Sequence, residues 1–262
     1  MVLVEAAFFD LDKTVISRSS SFALSRPMYR AGLVSRTAML RGAYAQIVFM
    51  LLGADERRMD KAKRALLELT RGWEQSQVED VVRDVVIDLI EPFVYQEALD
   101  LMAEHRRAGR QVFVVSSAPE EVVRPLGEHF GANGVVATRA AVVDGRYTGH
   151  LEFYCFGQAK ADAIRQLAKR AGIDLSSSFA YSDSPTDLPM LEAVGNPVAV
   201  NAHRDLRREA EDRGWEVRDF LRPVRVRARS ERRSGPLGAA IAAAAFAAVI
   251  AWVYLRPRRA RS

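Results

Sequence analysis

The stretch Phe8-Phe9-Asp10-Leu11-Asp12-Lys13-Thr14 decides how the rest of this 262-residue chain is read. An apolar run from Ala6 to Phe9 reads as buried strand and delivers two carboxylates to its end. Spaced i and i+2, Asp10 and Asp12 lie on the same side of an extended backbone. Two like charges that close are costly unless a metal ion or a shared proton compensates. At the carboxyl end of a buried strand the pair reads as a metal-assisted reaction site. The same residues also read as a solvated turn closing a strand, and the remainder of the chain has to decide.

Residues 2–10 read as one buried strand. The segment from Ser17 to about Glu91 shows only helical periodicity: Phe22 to Met28, Ala38 to Leu52, Asp60 to Leu69 and Val78 to Ile90, punctuated by Gly53, Gly72 and Pro92. From Tyr95 the pattern changes to alternation. It runs through a helix Glu97–Ala108, a strand Val112 to Ser116, and a helix from Pro119 to about Phe130. Short strands or a hairpin follow, at Val135-Val136 and Ala141–Thr148, around an Asp144-Gly145 turn. Then come a helix Ala159–Ala171 closed by Gly172, a strand Phe179–Ser182, a helix Leu188–Val194, a strand Pro197–Val200 and a helix Arg204–Arg213. Alternating strands and helices define an α/β fold with a doubly wound, Rossmann-like parallel sheet. The domains expected are a core of residues 1–16 and 93–221, an inserted all-helical cap of residues 17–92, a basic linker 222–235, a transmembrane helix 236–255 and a basic tail 256–262.

In such a sheet ligands gather at the carboxyl ends of the strands. The first strand ends in Asp10 and Asp12. The second ends in Ser116 and Ser117, ahead of a helix whose first amides favour an anion. The strand Phe179–Ser182 leads into Asp183 and, four residues on, Asp187. Lys160 stands near the start of its helix, where a cation opposes the macrodipole, so an acid or an anionic ligand should hold it there. Carboxylates suit a hard cation such as Mg²⁺. Hydroxyls, amides and a lysine suit a phosphate. Phosphoryl transfer needs both.

Composition sets further bounds. The net charge of +5 is uneven: from Arg222 to Ser262 there are ten Arg against one acid, Glu231, a balance of +9, and residues 1–221 carry −4. A slightly acidic body argues against nucleic acid as its partner. The basic end points to a membrane surface or anionic lipid. Pro236 to Leu255 is a 20-residue stretch without a charge, rich in Ala, flanked by Arg232, Arg233, Arg256, Arg258, Arg259 and Arg261. That is the length of one bilayer span, with Trp252 and Tyr254 where an interfacial belt would lie. Cys155 is the only cysteine, which excludes an internal disulfide and fits a reducing compartment. No signal peptide is read at the N-terminus. A cell-membrane protein with one C-terminal span and a cytoplasmic body is therefore expected. His105, His129, His150 and His203 share no ligand spacing and read as structural or surface residues.

The ordered set Asp10-x-Asp12-x-Thr14, Ser116, Lys160 and Ser182-Asp183-x3-Asp187-Leu188-Pro189-Met190-Leu191 resembles the haloacid dehalogenase superfamily. It is more closely similar to the phosphoserine-phosphatase-like branch, with a helical cap inserted after the first motif. The resemblance covers roughly residues 4–220 and leaves the C-terminal segment unexplained. It implies that Asp10 is a nucleophile forming an aspartyl-phosphate and that Asp12 is the general acid and base. It implies Mg²⁺ on the Asp10 and Asp183 carboxylates and the Asp12 carbonyl. Phosphoryl oxygens would fall to Ser116, Ser117 and Lys160, with Asp187 and Thr14 in support and the cap closing over the site. One departure concerns the substrate. Phosphoserine enzymes carry a cap-side glutamate about nine residues past the nucleophile; here the neighbourhood reads Arg18-Ser19-Ser20-Ser21, with no acid between Asp12 and Asp55. Phosphoserine is thus not the expected substrate. Arg18, Arg26 and Arg30 suit a more anionic phosphate, and an apolar cap beside a membrane anchor keeps a lipid phosphate in play. The alternatives are a phosphotransferase to an alcohol and a non-catalytic membrane scaffold.

Overall fold

β1 (Ala6–Asp10) is buried at every position and pairs in parallel with β2 (Gln111–Pro119) on one side and β5 (Phe179–Ser182) on the other. These strands belong to a seven-stranded sheet ordered β4-β3-β2-β1-β5-β6-β7. In it β3 spans Gly134–Val143, β4 Arg146–Phe153, β6 Asn196–Val200 and β7 Glu216–Arg218. The computed structural model describes residues 4–17, 67 and 70–222. The helices among them are α1 (Gln75–Ile90), α2 (Gln96–Arg107), α3 (Glu120–His129), α4 (Gln158–Ala171), α5 (Leu188–Leu191) and α6 (Arg204–Asp212).

Neighbouring strands from β3 through β2, β1, β5 and β6 to β7 all pair in parallel, so the expected α/β sheet is present. The chain leaves β1 for β2 and β3, then returns to the other side of β1 for β5, β6 and β7. The strand order reverses at β1, so the crevice beyond its carboxyl end is the topological switch point.

Side-chain alternation sorts β1 between two faces. Ala6 and Phe8 join Phe113, Ile164, Ala168, Ile173, Met190 and Leu206 in one apolar cluster. Phe9 turns to the other face, stacked on Tyr181 at 4.4 Å between ring centres and edge-on to His105 at 6.0 Å. Asp10 shares its face with Phe8 and Ala6, whereas Lys160, Ile164 and Ala168 run along one side of α4 at a spacing of four. Strand and helix therefore pack apolar residue on apolar residue until the last level, where a carboxylate meets an ammonium.

Several boundaries differ from the sequence reading. The short strands expected at Val135-Val136 and Ala141–Thr148 form one hairpin, whose two-residue turn puts Asp144 at φ 50° and Gly145 at φ 73°. Two positive φ values are what such a tight turn demands. The helix expected over Leu188–Val194 is shorter. After Leu191 the chain closes with i to i+3 bonds (Ala193 N to Met190 O, Val194 N to Leu191 O), and Gly195 N is drawn to Leu175 O. β7, a short polar edge strand, has no counterpart in the sequence reading.

The chain divides into two compact units. The first holds, among the described residues, 4–17, 86–139 and 152–222; the second holds 67, 70–85 and 140–151. The hairpin tip thus groups with the end of the region read as cap. Within that second unit, Gly72 N donates to Tyr147 O and Tyr147 N to Trp73 O, while Arg146 and Glu74 form an ion pair. The cap helices expected over Phe22–Met28, Ala38–Leu52 and Asp60–Leu69 lie outside the described residues, apart from position 67. So do Arg18, Arg26, Arg30, most of the 222–235 linker, the 236–255 span and the 256–262 tail. Among the described residues no helix is long and apolar enough to cross a membrane.

Candidate active site

The register of the central strands brings the sequence-predicted carboxylates together. Asp10 is level with Val115 of β2, one residue before Ser116, and Phe9 is level with Tyr181, two residues before Asp183. Asp10, Lys160, Asp183 and Asp187 are all at most 7 % exposed. Lys160 Nζ donates to Asp10 Oδ1 at 2.6 Å and to Asp187 Oδ2 at 2.7 Å. The acid expected to hold Lys160 against the helix dipole is thus present twice over. Gly157 allows the entry: as N-cap of α4 it takes φ 56°, ψ −125°, a conformation essentially reserved for glycine.

Asp187 is itself fixed by Ser182, whose Oγ donates to Asp187 Oδ2 at 2.7 Å. Ser182 opens the motif read from the sequence at this strand end, but carries no role in that reading. Lys13 likewise has no role in the sequence reading; its ammonium lies 3.8 Å from Asp183 Oδ2. A cation one residue beyond the Asp10-x-Asp12 pair is the available clue.

The loop after β1 is tightly turned. Val15 N and Ile16 N both donate to Leu11 O at 3.0 Å, and Lys13 takes φ 60°. Asp12 is half-buried within this turn. Thr14 is fully buried, and its Oγ1 has no hydrogen-bond partner in the protein. Ser116 is buried, its Oγ accepting from Ala118 N at 3.1 Å. Ser117 differs: β2 and β3 shift register between Ser116 and Pro119, and the Ser117 side chain is exposed on that irregularity, while its carbonyl accepts from Thr138 Oγ1 at 2.8 Å. α3 begins at Glu120, and its first turn already carries Glu120 and Glu121.

Electrostatics show a site short of positive charge. Burial raises the Asp10 carboxyl to about 8 against the pull of Lys160, with Asp187 and Asp183 adding to the rise. Burial likewise raises Asp183 to about 6, opposed by Lys13 and reinforced by Asp187. Burial alone would lower Lys160, but the charges of Asp10 and Asp187 outweigh it and hold the ammonium well above its ordinary value. Buried carboxylates that resist ionising are what an additional cation would relieve. Among the described residues no three His, Cys, Asp or Glu side chains are grouped to enclose a metal. Two carboxylates with a main-chain oxygen nevertheless fit a hard divalent ion that keeps several waters.

The remaining candidates stay structural. Cys155 is buried, its thiol pushed up to about 12 by burial, as a small apolar residue would be. His105 is buried against Tyr181, with Nε2 at 2.8 Å from the phenol oxygen, and burial lowers it to about 4. His129, His150 and His203 are exposed.

A doubly wound sheet carries a buried aspartate–lysine–aspartate contact at its switch point, where ligands of such sheets bind. The chain belongs to the haloacid dehalogenase-like hydrolase family, whose profile matches residues 7–192. It is 51 % identical to an "inhibition of morphological differentiation protein" of Streptomyces azureus, over 97 % of this chain and 94 % of that one. It is 48 % identical to a probable phosphatase of Mycobacterium tuberculosis, over 94 % of this chain and 85 % of that one. A crystal structure of a protein of unknown function from Bordetella pertussis superposes with a TM-score of 0.68 at 28 % identity, covering 84 % of this chain and all of that one. The protein is a phosphoric monoester hydrolase of the haloacid dehalogenase type, a superfamily that generally works with a divalent metal.

Proposed function

We propose that the chain hydrolyses phosphate monoesters in two steps through a phosphoryl group carried on Asp10. The observation that carries this reading is the buried contact of Lys160 with both Asp10 and Asp187. It aims one carboxylate at the switch-point crevice beside a fixed ammonium. In the first step an Asp10 carboxylate oxygen attacks phosphorus, the ester P–O bond breaks, and Asp12 gives its proton to the departing alkoxide. In the second step water attacks phosphorus, Asp12 takes the water's proton, and the bond to Asp10 breaks to release inorganic phosphate. Lys160 offsets charge on the phosphoryl oxygens and on Asp10, and Ser116 offers them its hydroxyl. Asp187 keeps Lys160 in place. Mg²⁺ is the expected ion, held by Asp10, Asp183 and the Asp12 carbonyl, and it would neutralise phosphoryl charge.

The substrate in this reading is anionic beyond its phosphate, and phosphoserine is disfavoured because no acid lies between Asp12 and Asp55 to meet its amine. The uncharged segment 236–255 and its arginine flanks support one membrane span, and the single cysteine of the body fits the reducing, cytoplasmic side. Acid quenching during turnover of p-nitrophenyl phosphate with Mg²⁺, followed by peptide mass analysis, tests the chemistry. A phosphoryl group should be found on Asp10, and Asp10→Asn should abolish both adduct and turnover. Wild-type turnover by Asp10→Asn would sink the reading. A panel of amino-acid, sugar, nucleotide and lipid phosphates then ranks substrates.

A further inference from the structure

Three non-glycine residues among those described adopt positive φ: Lys13 at 60°, Asp144 at 50° and Asn201 at 46°. Asp144 belongs to the hairpin turn. The other two stand 188 positions apart and touch: Asn201 Nδ2 donates to Lys13 O at 3.3 Å. Left-handed backbone at a residue with a Cβ is unfavourable and persists only where the surroundings hold it, often at a functional site. Asn is among the residue types that tolerate it.

Hydrogen bonds from several elements hold the loop. Leu11 O accepts from Val15 N and Ile16 N, and Val15 O accepts from Tyr95 N at 2.9 Å. Lys13 O is held by a side chain instead, and that side chain comes from the end of β6. Asn201 is itself braced on two sides. Its N donates to Arg218 O at 2.9 Å, and its Oδ1 accepts from the N of buried Phe220 at 2.8 Å. The neighbouring His203 N donates to Asp183 O at 2.8 Å, so one short segment after β6 reaches both the aspartate-pair loop and the loop after β5.

We infer that Asn201 is a positioning residue for the reaction: its amide fixes the Lys13–Thr14 peptide, holds Lys13 in the left-handed conformation, and through that turn sets the place of the Asp12 carboxyl relative to Asp10. The inference rests on the reading of Asp10 and Asp12 as the reacting pair. Asn201 acts through Lys13 and not on a reacting group. Its loss therefore misplaces the proton donor and leaves phosphate binding by Lys160 intact.

Two variants separate this from a merely structural role. Asn201→Gly removes both side-chain bonds and keeps the backbone angle accessible. Asn201→Asp tolerates the same angle and keeps an acceptor for Phe220 N, but has no donor for Lys13 O, and it retains the fold should the glycine variant lose it. With p-nitrophenyl phosphate and Mg²⁺, both should lower kcat between about tenfold and a hundredfold while KM stays within about twofold. Amide hydrogen exchange at Val15 and Ile16 should quicken in both, while Phe220 stays protected in Asn201→Asp alone. Wild-type kcat in Asn201→Asp, or unchanged exchange at Val15 and Ile16, would overturn the inference. The exchange reading decides even if the wild type turns over no ester, an outcome that would count against the proposed function and not against the Asn201–Lys13 link.

Discussion

Replacing Lys160 by Met keeps the stem and removes the ammonium, leaving Asp10 and Asp187 buried without their shared partner. Breaking a buried ion pair from one side costs about 3–5 kcal/mol, and losing an electrostatic stabiliser of the reacting charge costs about 10²–10³ in kcat. Lys160→Met should show both, in denaturant unfolding and in steady-state kinetics. Adding Asp187→Asn should recover stability without recovering turnover. Asp10 makes a second prediction, with a definite sign. Its carboxyl is raised in the folded protein to about 8 from an ordinary value of 3.8. Between those values the folded state holds the proton that the unfolded state has released, so stability falls as pH rises. Below about 6.5 the signal is mixed, because His105, lowered to about 4, works in the opposite direction and Asp183 titrates near 6. From pH 6.5 to 8.5, metal-free protein should lose stability by up to about 1.4 kcal/mol per pH unit, and Asp10→Asn should flatten the slope. A slope in Asp10→Asn equal to the wild type's would show that some other group titrates. Asp10, Lys160, Asp183 and Asp187 were legible in the sequence because each ends a strand or opens a helix. Lys13 and Asn201 were not, because their parts depend on loop angles and on a contact between distant chain segments that no local pattern encodes; Ser182 stands in the motif itself, but its bond to Asp187 shows only in the folded loop.

Elements that end in the site and elements that end away from it carry different consequences. Gly195 precedes β6 at the end opposite the crevice. A Cβ there would lie 1.7 Å from Ser176 O, a main-chain atom that cannot swing aside. Gly195→Ala should destabilise by about 3 kcal/mol while the KM of the remaining folded protein is unchanged. Gly145 offers the contrast. At φ 73° in the hairpin turn, with no atom beyond its chain neighbours within 4 Å of where a Cβ would stand, it should cost only the left-handed penalty of about 1–2 kcal/mol on substitution by Ala. Thermal melts of the two variants side by side check the order. The same packing explains which elements were readable. Phe179–Ser182 is apolar and bounded, and strand and prediction coincide. The Leu188–Val194 pattern looks helical throughout, yet the tertiary bond from Gly195 N to Leu175 O ends the helix at Leu191. β7, with Glu216 and Arg218 around one Val, has the polar make-up of an edge strand and too little periodicity to announce itself.

At the scale of the whole molecule the chain is divided in charge: −4 over residues 1–221 and +9 over residues 222–262. Where the basic part begins, the structure holds the chain firmly. Glu97 accepts from Leu221 N at 3.1 Å, and from Arg222 N at 2.9 Å and Arg222 Nε at 3.1 Å, while Gln96 N donates to Arg222 O at 2.8 Å. A chain shortened after Arg222 retains all of these bonds, so it should keep the fold and its turnover of a soluble ester. What it gives up are the nine arginines beyond Arg222 and the 20-residue uncharged segment. Those two features predict different behaviour at a lipid surface. Arginines on anionic headgroups act through charge, and at about 1 M salt the screening length falls to about 3 Å. An inserted apolar segment is indifferent to salt. The full-length chain should therefore stay with anionic vesicles through a wash at that salt concentration, and the shortened chain should not sediment with them at any salt. Release of the full-length chain by salt would reduce the C-terminal segment to a peripheral, electrostatic contact and remove the single-span reading.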